Sequence, residues 1–512
     1  MKQMVFLLFV MLLGLQACYK DKGNYEYADS NSVSIVLNPT NKQAYLGEPY
    51  IYFPQIKFTN KSDTSNFEYW WESIDLGYED TLCIGRELNF IPDRVGLINT
   101  RLCVRELATG VITMSDLQLR SESPYAKGWL ILSENGGKTL LSYIRPGYEN
   151  REDVTKRIYS TFLDIYNQLY PNEYLGNEPY CLKQVMNMSE SAVLILQNNN
   201  SLYLDGSTYQ KIMTMDKEFI GEVYPEGFII KDFFYGASPD VLLGVSGEVY
   251  SRDYMGQGEY QPLFLEAFSN IPVQYQGKPL KADQLIYTMP SKAGFFGLHE
   301  IEENRILWIL TNHNIRGNIV GSNMIVEDDQ SYIDLNNLDD NELIYAGTCE
   351  AFNNSATLLV LCKNGDKVYS QKQGVSVSTL SSEYLDVKDV VLRNFEISNV
   401  SKSTKFYTLE TRPYLFFAIN NMLYWYDINS GIIKDFFSFQ EGEEIVEMGS
   451  NPQESELGVL LKNGTFIILN IENEKLYKGE KVYELSVPGE GVSLMYKYPN
   501  YSSYMFRTIQ PD

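Results

Sequence analysis

The chain has 512 residues, with 42 lysines and arginines against 66 aspartates and glutamates, so its formal net charge is −24 at pH 7. Such a negative chain is a poor partner for nucleic acid, because a phosphate backbone requires a cationic surface. The hydrophobic fraction of 44% and the charged fraction of 21% exclude general disorder. The aromatic fraction of 13% favours strands, so we expect a mainly β structure.

Residues 1–17 have the features of a secretion signal. Lys2 precedes an apolar run that is shorter than the ~20 residues needed to cross a bilayer. Ala17 then stands directly before Cys18, as in the cleavage sites of lipoprotein signals. We expect cleavage before Cys18 and acylation of its thiol, with residues 18–32 as a tether between the lipid and the first domain. The alternative is an uncleaved signal anchor.

The residues that begin at this cysteine resemble a known family. The string Cys18-Tyr19-Lys20-Asp21-Lys22-Gly23-Asn24-Tyr25 is similar to the opening of the PKD-like lipoproteins of Bacteroidetes. The resemblance implies an outer-membrane lipoprotein that faces the cell surface or the periplasm. It also implies two partners: the outer membrane, through the lipid, and an import complex of the starch-utilisation type. It implies no reaction, because the family has no catalytic motif that maps onto this chain.

Residues 33–120 read as short strands separated by turns. Trp70 and Trp71 lie in a middle strand, and a later strand begins near Gly96. This pattern predicts an immunoglobulin-like β-sandwich, and the segment resembles a PKD domain in the same features. Since side chains alternate along a strand, we expect Trp70 and Trp71 to point to opposite faces, one towards the core and the other towards solvent.

Residues 126–512 repeat one pattern, in which an apolar strand, a tight polar turn and a second strand follow one another. The clearest copies have Asn364-Gly365 and Asn463-Gly464 in the turn, and Asn-Gly there is a strong hairpin signal. Looser copies begin at Trp129, Val193, Val241, Ile306 and Leu415. The copies recur about every 55 residues, a spacing typical of propeller blades. We therefore predict an all-β chain, a sandwich followed by a β-propeller of about seven blades, with six or eight as alternatives.

The segment near residues 150–171 breaks this pattern. Its apolar residues recur at helical spacing and Pro171 ends the run, which predicts one inserted helix. The residues that carry the spacing are Val154, Ile158, Phe162, Ile165 and Leu169. The helix is expected either to pack on the propeller wall or to act as a lid over the mouth of the ring.

Residue types that serve catalysis and metal binding are scarce. The chain has two histidines, His299 and His313, and their spacing does not fit a metal pair. We expect no metal, no cofactor and no catalytic triad. The acidic stretch from Glu327 to Glu342 fails the spacing of a calcium-binding EF-hand, so we expect a solvated loop.

Cysteines and aromatic residues supply the remaining candidates. Cys83 and Cys103 are candidates for a disulfide within the sandwich, because exported proteins permit disulfides. Four aromatic residues of the propeller are candidates for stacking on a ligand, with core packing as the alternative. They are Trp308, Tyr424, Trp425 and Tyr426.

The sequence as a whole predicts a non-enzymatic outer-membrane lipoprotein that binds a glycan, a peptide or a protein partner of nutrient-uptake machinery. One alternative is a carboxylate-dependent glycan hydrolase or lyase on the propeller, because that chemistry needs only a suitably spaced pair of acids. Another is a structural envelope protein that binds no small ligand. Acids that converge in the central channel beside exposed aromatic rings would favour the first alternative.

Overall fold

The computed structural model describes residues 32–505, apart from internal gaps at 40–41, 60–64, 76–79, 151–152, 199, 237, 254–261, 312–316, 328–329, 379–382, 398 and 473–474. Cys18 and almost all of the expected tether lie outside the described residues. The chain divides into two compact units between Glu122 and Ser123.

The N-terminal unit is a β-sandwich. Its described strands are β1 (Val33–Val36), β2 (Gln43–Tyr45), β3 (Tyr50–Tyr52), β4 (Gln55–Phe58), β5 (Phe67–Ser73), β6 (Thr81–Ile84), β7 (Leu88–Phe90), β8 (Gly96–Glu106) and β9 (Ile112–Glu122). One sheet has the order β2-β9-β8-β5-β6, while β1–β4 and β3–β7 form two antiparallel pairs. Trp71 and Leu102 of the large sheet pack with Tyr50 and Leu88 of the pairs in one core. The predicted sandwich is therefore confirmed.

The predicted disulfide between Cys83 and Cys103 is wrong, because both cysteines are free. Cys83 pairs with Trp71 and Cys103 pairs with Trp70, so strand β5 lies between the two cysteines. Neighbouring residues of a strand point to opposite faces, so the two thiols lie on opposite faces of the sheet. They are also two strand spacings apart, about 10 Å, which exceeds the reach of a disulfide.

The described residues of the second unit form seven blades, numbered 1 to 7 in chain order, of which blades 4 and 5 are the two halves of one eight-stranded sheet. Blade 1 contains β10 (Gly128–Asn135), β11 (Lys138–Asn150), β12 (Asp153–Phe162) and the last strand of the unit, β38 (Glu490–Lys497); blade 2 contains β13 (Pro179–Met186), β14 (Ser191–Gln197), β15 (Leu202–Asp205) and β16 (Lys211–Thr214); blade 3 contains β17 (Ile230–Phe234), β18 (Asp240–Gly244) and β19 (Val249–Arg252). A separate pair, β20 (Gln274–Tyr275) and β21 (Lys278–Pro279), precedes blade 4, which contains β22 (Ala282–Ile286), β23 (Phe295–Glu300), β24 (Arg305–Leu310) and β25 (Ile319–Met324). Blade 5 contains β26 (Glu342–Phe352), β27 (Ser355–Asn364), β28 (Lys367–Val377) and β29 (Tyr384–Asn394); blade 6 contains β30 (Phe406–Thr408), β31 (Tyr414–Ile419), β32 (Met422–Asp427) and β33 (Ile433–Ser438); blade 7 contains β34 (Ile445–Ser450), β35 (Glu456–Leu461), β36 (Thr465–Asn470) and β37 (Glu480–Ser486).

Helices are few and short. The described α-helices are α1 (Ile165–Leu169), α2 (Pro290–Ala293) and α3 (Tyr501–Met505), and two 3₁₀ turns occur at Met215–Glu218 and Ile220–Glu222. Among the described residues, none of these helices has the length or the apolar character to cross a membrane.

The seven blades close into a ring. Apolar clusters fill the space between each blade and the next, and a further cluster joins blade 7 to blade 1 through Phe466 and Trp129. Blade 1 has the strand order β38-β10-β11-β12, so its innermost strand comes from the far end of the unit. This radial arrangement leaves only short, protected sheet edges. The unit is a seven-bladed β-propeller, as the repeat predicts.

The repeat marks the same hairpin in almost every blade. Six copies fall on the turn between the second and third strands, for example Asn364↔Lys367 and Ile419↔Met422. The copy at Ile306 instead covers β24, the third strand of blade 4. Blades 4 and 5 differ from the others, because their outer strands β25 and β29 pair in parallel and join the two blades into one curled sheet.

The predicted helix over 150–171 is wrong for most of its length. Asp153–Phe162 is strand β12, paired antiparallel with β11, and Asn150 faces Asp153 across a hairpin turn. The apolar residues Val154, Ile158 and Phe162 are four apart, a spacing that fits one face of a helix and equally one face of a strand. Among the described residues of this segment, only Ile165–Leu169 is helical, and Ile165 is buried against blades 1 and 2.

Candidate functional site

The predicted stacking residues are mostly core residues. Trp308, Trp425 and Tyr426 are at most 2% exposed and pack between blades, so they offer no ring face to a ligand. The Trp308 indole N–H donates to Ser322 Oγ at 2.9 Å. Tyr424 is half-buried and stacks on another ring of its own blade, with centroids 5.2 Å apart. The core-packing alternative therefore applies to these residues.

The acidic loop between blades 4 and 5 has an alternating pattern. Ile333, Leu335 and Leu338 are buried in the core of these blades, whereas Asp339 and Asp340 are exposed. Asp328 and Asp329 lie outside the described residues, as does His313. In the described part of the chain, no group of three histidine, cysteine or acidic side chains is placed to hold a metal ion.

The innermost strands share one irregularity. In six of the seven blades the innermost strand contains a β-bulge close to its start, where one residue is skipped in the pairing with the second strand. The skipped residues are Tyr180, Lys231, Asp283, Ile344, Val446 and Val492. A bulge re-aims the side chains beside it, and such bulges are frequent next to functional sites. The residues that follow are Cys181, Asp232, Gln284, Tyr345, Glu447 and Ser493.

Three blades contribute to a polar cluster in this ring. Lys183 Nζ lies 2.7 Å from Asp232 Oδ1 and 2.7 Å from the Tyr287 hydroxyl. That hydroxyl donates to Asp232 Oδ1 at 2.5 Å. Burial alone would lower the pKa of Lys183, but Asp232 and Tyr287 outweigh it and raise that pKa above its usual value. Tyr287 is 41% exposed, so solvent reaches this cluster.

Blades 7 and 1 contribute a second polar group. Glu447 accepts hydrogen bonds from the Ser493 hydroxyl at 2.6 Å and from the Leu494 N–H at 2.8 Å. Burial raises the pKa of Glu447, and the Ser493 hydrogen bond and the charge of Lys183 oppose this rise. The innermost strands enclose the central channel of the propeller. Lys183 is on blade 2 and Glu447 is on blade 7, with blade 1 between them, so the two polar groups interact electrostatically around this channel. Burial also raises the pKa of the neighbouring Cys181 thiol to about 12.

A depression of about 740 Å³ lies beside this channel, between blades 6 and 7. Its lining is polar and includes Lys405, Asn420, Asn421, Glu441 and Glu443. Lys405 stands directly before the innermost strand of blade 6. Like Lys183, it carries a positive charge that opposes the rise in the pKa of Glu447. The depression and the channel therefore share a charged residue.

Helix α3 covers part of the other end of the channel, where the innermost strands finish. The Tyr501 N–H donates to Asn187 O at 2.7 Å, and the Tyr501 ring meets Tyr235 edge-on at 5.7 Å. The Tyr504 hydroxyl donates to Glu410 at 3.4 Å. The contacted residues Asn187, Tyr235 and Glu410 come just after the ends of the innermost strands of blades 2, 3 and 6. Blades 2 and 3 stand opposite blade 6 in the ring.

Sequence reasoning missed this channel site. A bulge leaves no signature in composition, and Lys183 and Asp232 stand 49 positions apart in two separate strands. The available signal was a charged residue within an innermost strand, as in Cys181-Leu182-Lys183. Reading it requires knowing which strand of each blade is innermost.

Residues 18–176 match the family described as PKD-like family. This match spans the N-terminal unit and continues into blade 1. No curated protein sequence matches the chain.

Solved structures that resemble the chain include propellers. A quinonprotein alcohol dehydrogenase-like protein from Bacteroides thetaiotaomicron has 13% identity over 90% of this chain and 97% of its own, with a TM-score of 0.42. A putative 6-phosphogluconolactonase from Bacteroides fragilis has 9% identity over 73% and 98%, with a TM-score of 0.40. A β-propeller domain from Myceliophteria thermophila has 10% identity over 63% and 90%, with a TM-score of 0.37. At these scores, the assignment of seven blades rests on the sheets themselves.

Proposed function

We propose that this protein is a lipid-anchored, non-enzymatic binding component of the outer membrane, and that its propeller holds the ligand in the central channel. The observation that carries the proposal is the ring of bulged innermost strands. It directs polar side chains from several blades, among them Lys183, Asp232 and Glu447, towards one another.

The chemistry of the channel suits a short glycan or peptide segment. Lys183 and Lys405 can meet anionic or carbonyl oxygens. The hydrogen bonds described above go to Asp232 Oδ1 and Glu447 Oε2, so the second oxygen of each carboxylate can meet an ammonium or hydroxyl group of the ligand. Tyr287 adds a partly exposed ring that packs against the apolar face of a ligand. Convergent polar groups in a concave site are the usual mark of ligand binding.

The contacts of two carboxylates favour binding over hydrolysis. Asp232 is held by Lys183 and Tyr287, and Glu447 is held by Ser493 and a backbone N–H. A glycosidase needs two carboxyl groups that face the scissile bond and exchange protons with it. Both channel acids are instead engaged by donors of the protein. Release of sugar products from polysaccharides by the purified chain would decide for the hydrolase alternative.

The ligand site is tested by screening the purified chain on glycan and peptide arrays and measuring affinity for the best ligand by calorimetry. We expect Lys183→Met and Asp232→Asn to weaken binding at least tenfold. Lys367→Met, which changes an exposed lysine in a hairpin of blade 5, should bind like the parent. Equal affinities for all of these variants would contradict the channel site.

The anchor and the partners need a separate test. Fatty-acid labelling in cells should be lost in Cys18→Ala, and crosslinking should recover outer-membrane import proteins with the parent chain. Persistence of the label in Cys18→Ala would contradict lipid anchoring at this residue.

A further inference from the structure

The outer face of the five-stranded sheet in the N-terminal unit carries one apolar row. Strand pairing aligns Ile84, Trp70, Cys103 and Met114 across β6, β5, β8 and β9, and paired residues point to the same face. Trp71 points the other way into the core, as the alternation in the sequence predicts. Ile84 is 87% exposed and Met114 is 51% exposed, and Trp70 is half-buried.

Charged rows flank this apolar row on both sides. On one side Arg101 pairs with Asp116 at 2.7 Å, next to Glu72. On the other side Arg105 lies 3.7 Å from Glu68. Residues two positions apart along a strand are about 7 Å apart, so the apolar row is one side chain wide across β6, β5 and β8. At β9 it widens by one residue, because Ile112 lies opposite Arg105 and is 37% exposed.

The Trp70 ring is held in place. Its indole N–H donates to Glu72 Oε2 at 3.2 Å, so the ring is fixed on the sheet. Cys103, the member of the row between Trp70 and Met114, is 1% exposed, so the accessible surface of the row comes from Ile84, Trp70 and Met114. A fixed aromatic ring loses little conformational entropy when a ligand packs on it.

We propose that this row binds a glycan strand of flat, ribbon-like shape, laid across the four β-strands with the C–H faces of its sugar rings on Trp70, Ile84 and Met114. Hydroxyl groups at both edges of the ribbon then reach the flanking arginines and carboxylates, which can donate and accept hydrogen bonds. A stable protein interface buries about 800 Å² on each partner and has an apolar centre several side chains wide. A row one side chain wide fits a single polymer chain instead.

Trp70 also supplies the readout. The chain has five tryptophans, and the other four, Trp71, Trp129, Trp308 and Trp425, are at most 2% exposed. Iodide should therefore quench mainly the fluorescence of Trp70. In the full chain that begins at residue 18, with Cys18→Ala for solubility, saturating cellohexaose or xylohexaose should protect this fluorescence from iodide. The helical maltohexaose should protect it less.

Matched variants test whether the apolar row itself holds the glycan. Trp70→Ala should weaken calorimetric binding of cellohexaose or xylohexaose at least tenfold. Trp70→Phe keeps an apolar ring, so it should retain part of the affinity and lose the quenchable emission. Leu97→Ala, on the same face but outside the row, should bind like the parent. Asp232→Asn in the propeller channel should also leave this binding unchanged, which distinguishes the two sites.

Three results would overturn the proposal. One is failure of both flat hexasaccharides to protect Trp70. Another is unchanged affinity in Trp70→Ala. The third is capture of an envelope protein by a photo-crosslinker placed at residue 84, with no competition from the hexasaccharides, which would assign the row to a protein partner.

Discussion

Asp283 Oδ1 lies 2.6 Å from His299 Nδ1, and Oδ2 of the same carboxylate lies 2.7 Å from Lys402 Nζ. His299 belongs to blade 4, whereas Lys402 belongs to the segment that leads into blade 6. The second ring nitrogen of His299 lies 3.0 Å from Asn304 Oδ1. One carboxylate at the bulge of β22 therefore ties blade 4 to a loop that arrives from beyond blade 5.

Replacing this carboxylate should make stability depend less on pH in the acid range. Burial alone would raise the pKa of Asp283, but the hydrogen bonds from His299 and Lys402 outweigh it and lower that pKa. The folded chain then holds this carboxylate charged, which stabilises it at pH values above the unfolded pKa near 4 and progressively less below that value. We expect Asp283→Asn to lose about 1–3 kcal/mol at pH 7. In urea unfolding, its deficit should shrink as the pH falls from 5 to 3, whereas Asp366→Asn on an exposed turn should match the parent throughout.

Lys497 should show a pH dependence of the same sign, but at neutral to alkaline pH. It is fully buried, and its Nζ donates to the carbonyls of Tyr125 and Ala126 at 2.9 and 2.7 Å. Burial lowers its pKa to about 7, so between about pH 7 and 10 the unfolded chain binds more protons and stability rises with pH. Lys497→Met removes this contribution and leaves two carbonyls without their donor, which costs about 1–3 kcal/mol at pH 10. The deficit relative to the parent should shrink towards pH 7. A deficit that is constant from pH 7 to 10 would contradict the lowered pKa.

The seam between blades 7 and 1 should not tolerate one extra methyl group. A Cβ at Gly458 would lie 2.6 Å from the Trp129 ring, which is fully buried between these blades. We expect Gly458→Ala to lower the free energy of unfolding by about 1–3 kcal/mol through overpacking. Gly374→Ala in β28 is the matched control, because its nearest neighbour would be at 3.7 Å. Equal thermal stabilities for the two variants would contradict the tight seam.

The charged core between blades 2 and 3 should depend on its arginine. Arg252 lies 2.9 Å from both Glu218 and Asp240, and all three side chains are at most 1% exposed. Arg252→Met would leave two buried carboxylates without their counter-charge, and we expect a loss of about 3–5 kcal/mol. Lys281→Met breaks a pair whose side chains are 31% and 29% exposed, and should cost about 0–1 kcal/mol. Denaturant titration of both variants measures the difference.

The sequence was most informative where structure is local. Tight turns such as Asn364-Gly365 marked hairpins and gave the blade number, because turn chemistry is set by a few adjacent residues. The alternation at Trp70 and Trp71 assigned their faces correctly. The prediction of a helix over 150–171 failed because a spacing of four residues fits a helix face and a strand face equally.

The candidate sites were harder to predict because they depend on distant pairing. Cys83 and Cys103 are separated by β5, and nothing in their sequence spacing reports a strand between them. Trp308 and Trp425 are buried, but the residue type alone does not distinguish a buried tryptophan ring from an exposed one. The channel cluster requires both the ring order of the blades and the bulges, neither of which is encoded by adjacent residues.

The strand order of blade 1 has a consequence for how the chain matures. Its centre is completed by β38, so the earlier blades can be translated and partly folded while the ring is still open. Until Glu490–Lys497 arrives, the inner edge of β10 is an unpaired strand that invites pairing with another chain. We therefore expect a chain that is stalled before residue 490 during synthesis to require chaperone protection, and closure of the ring to be among the last events of folding.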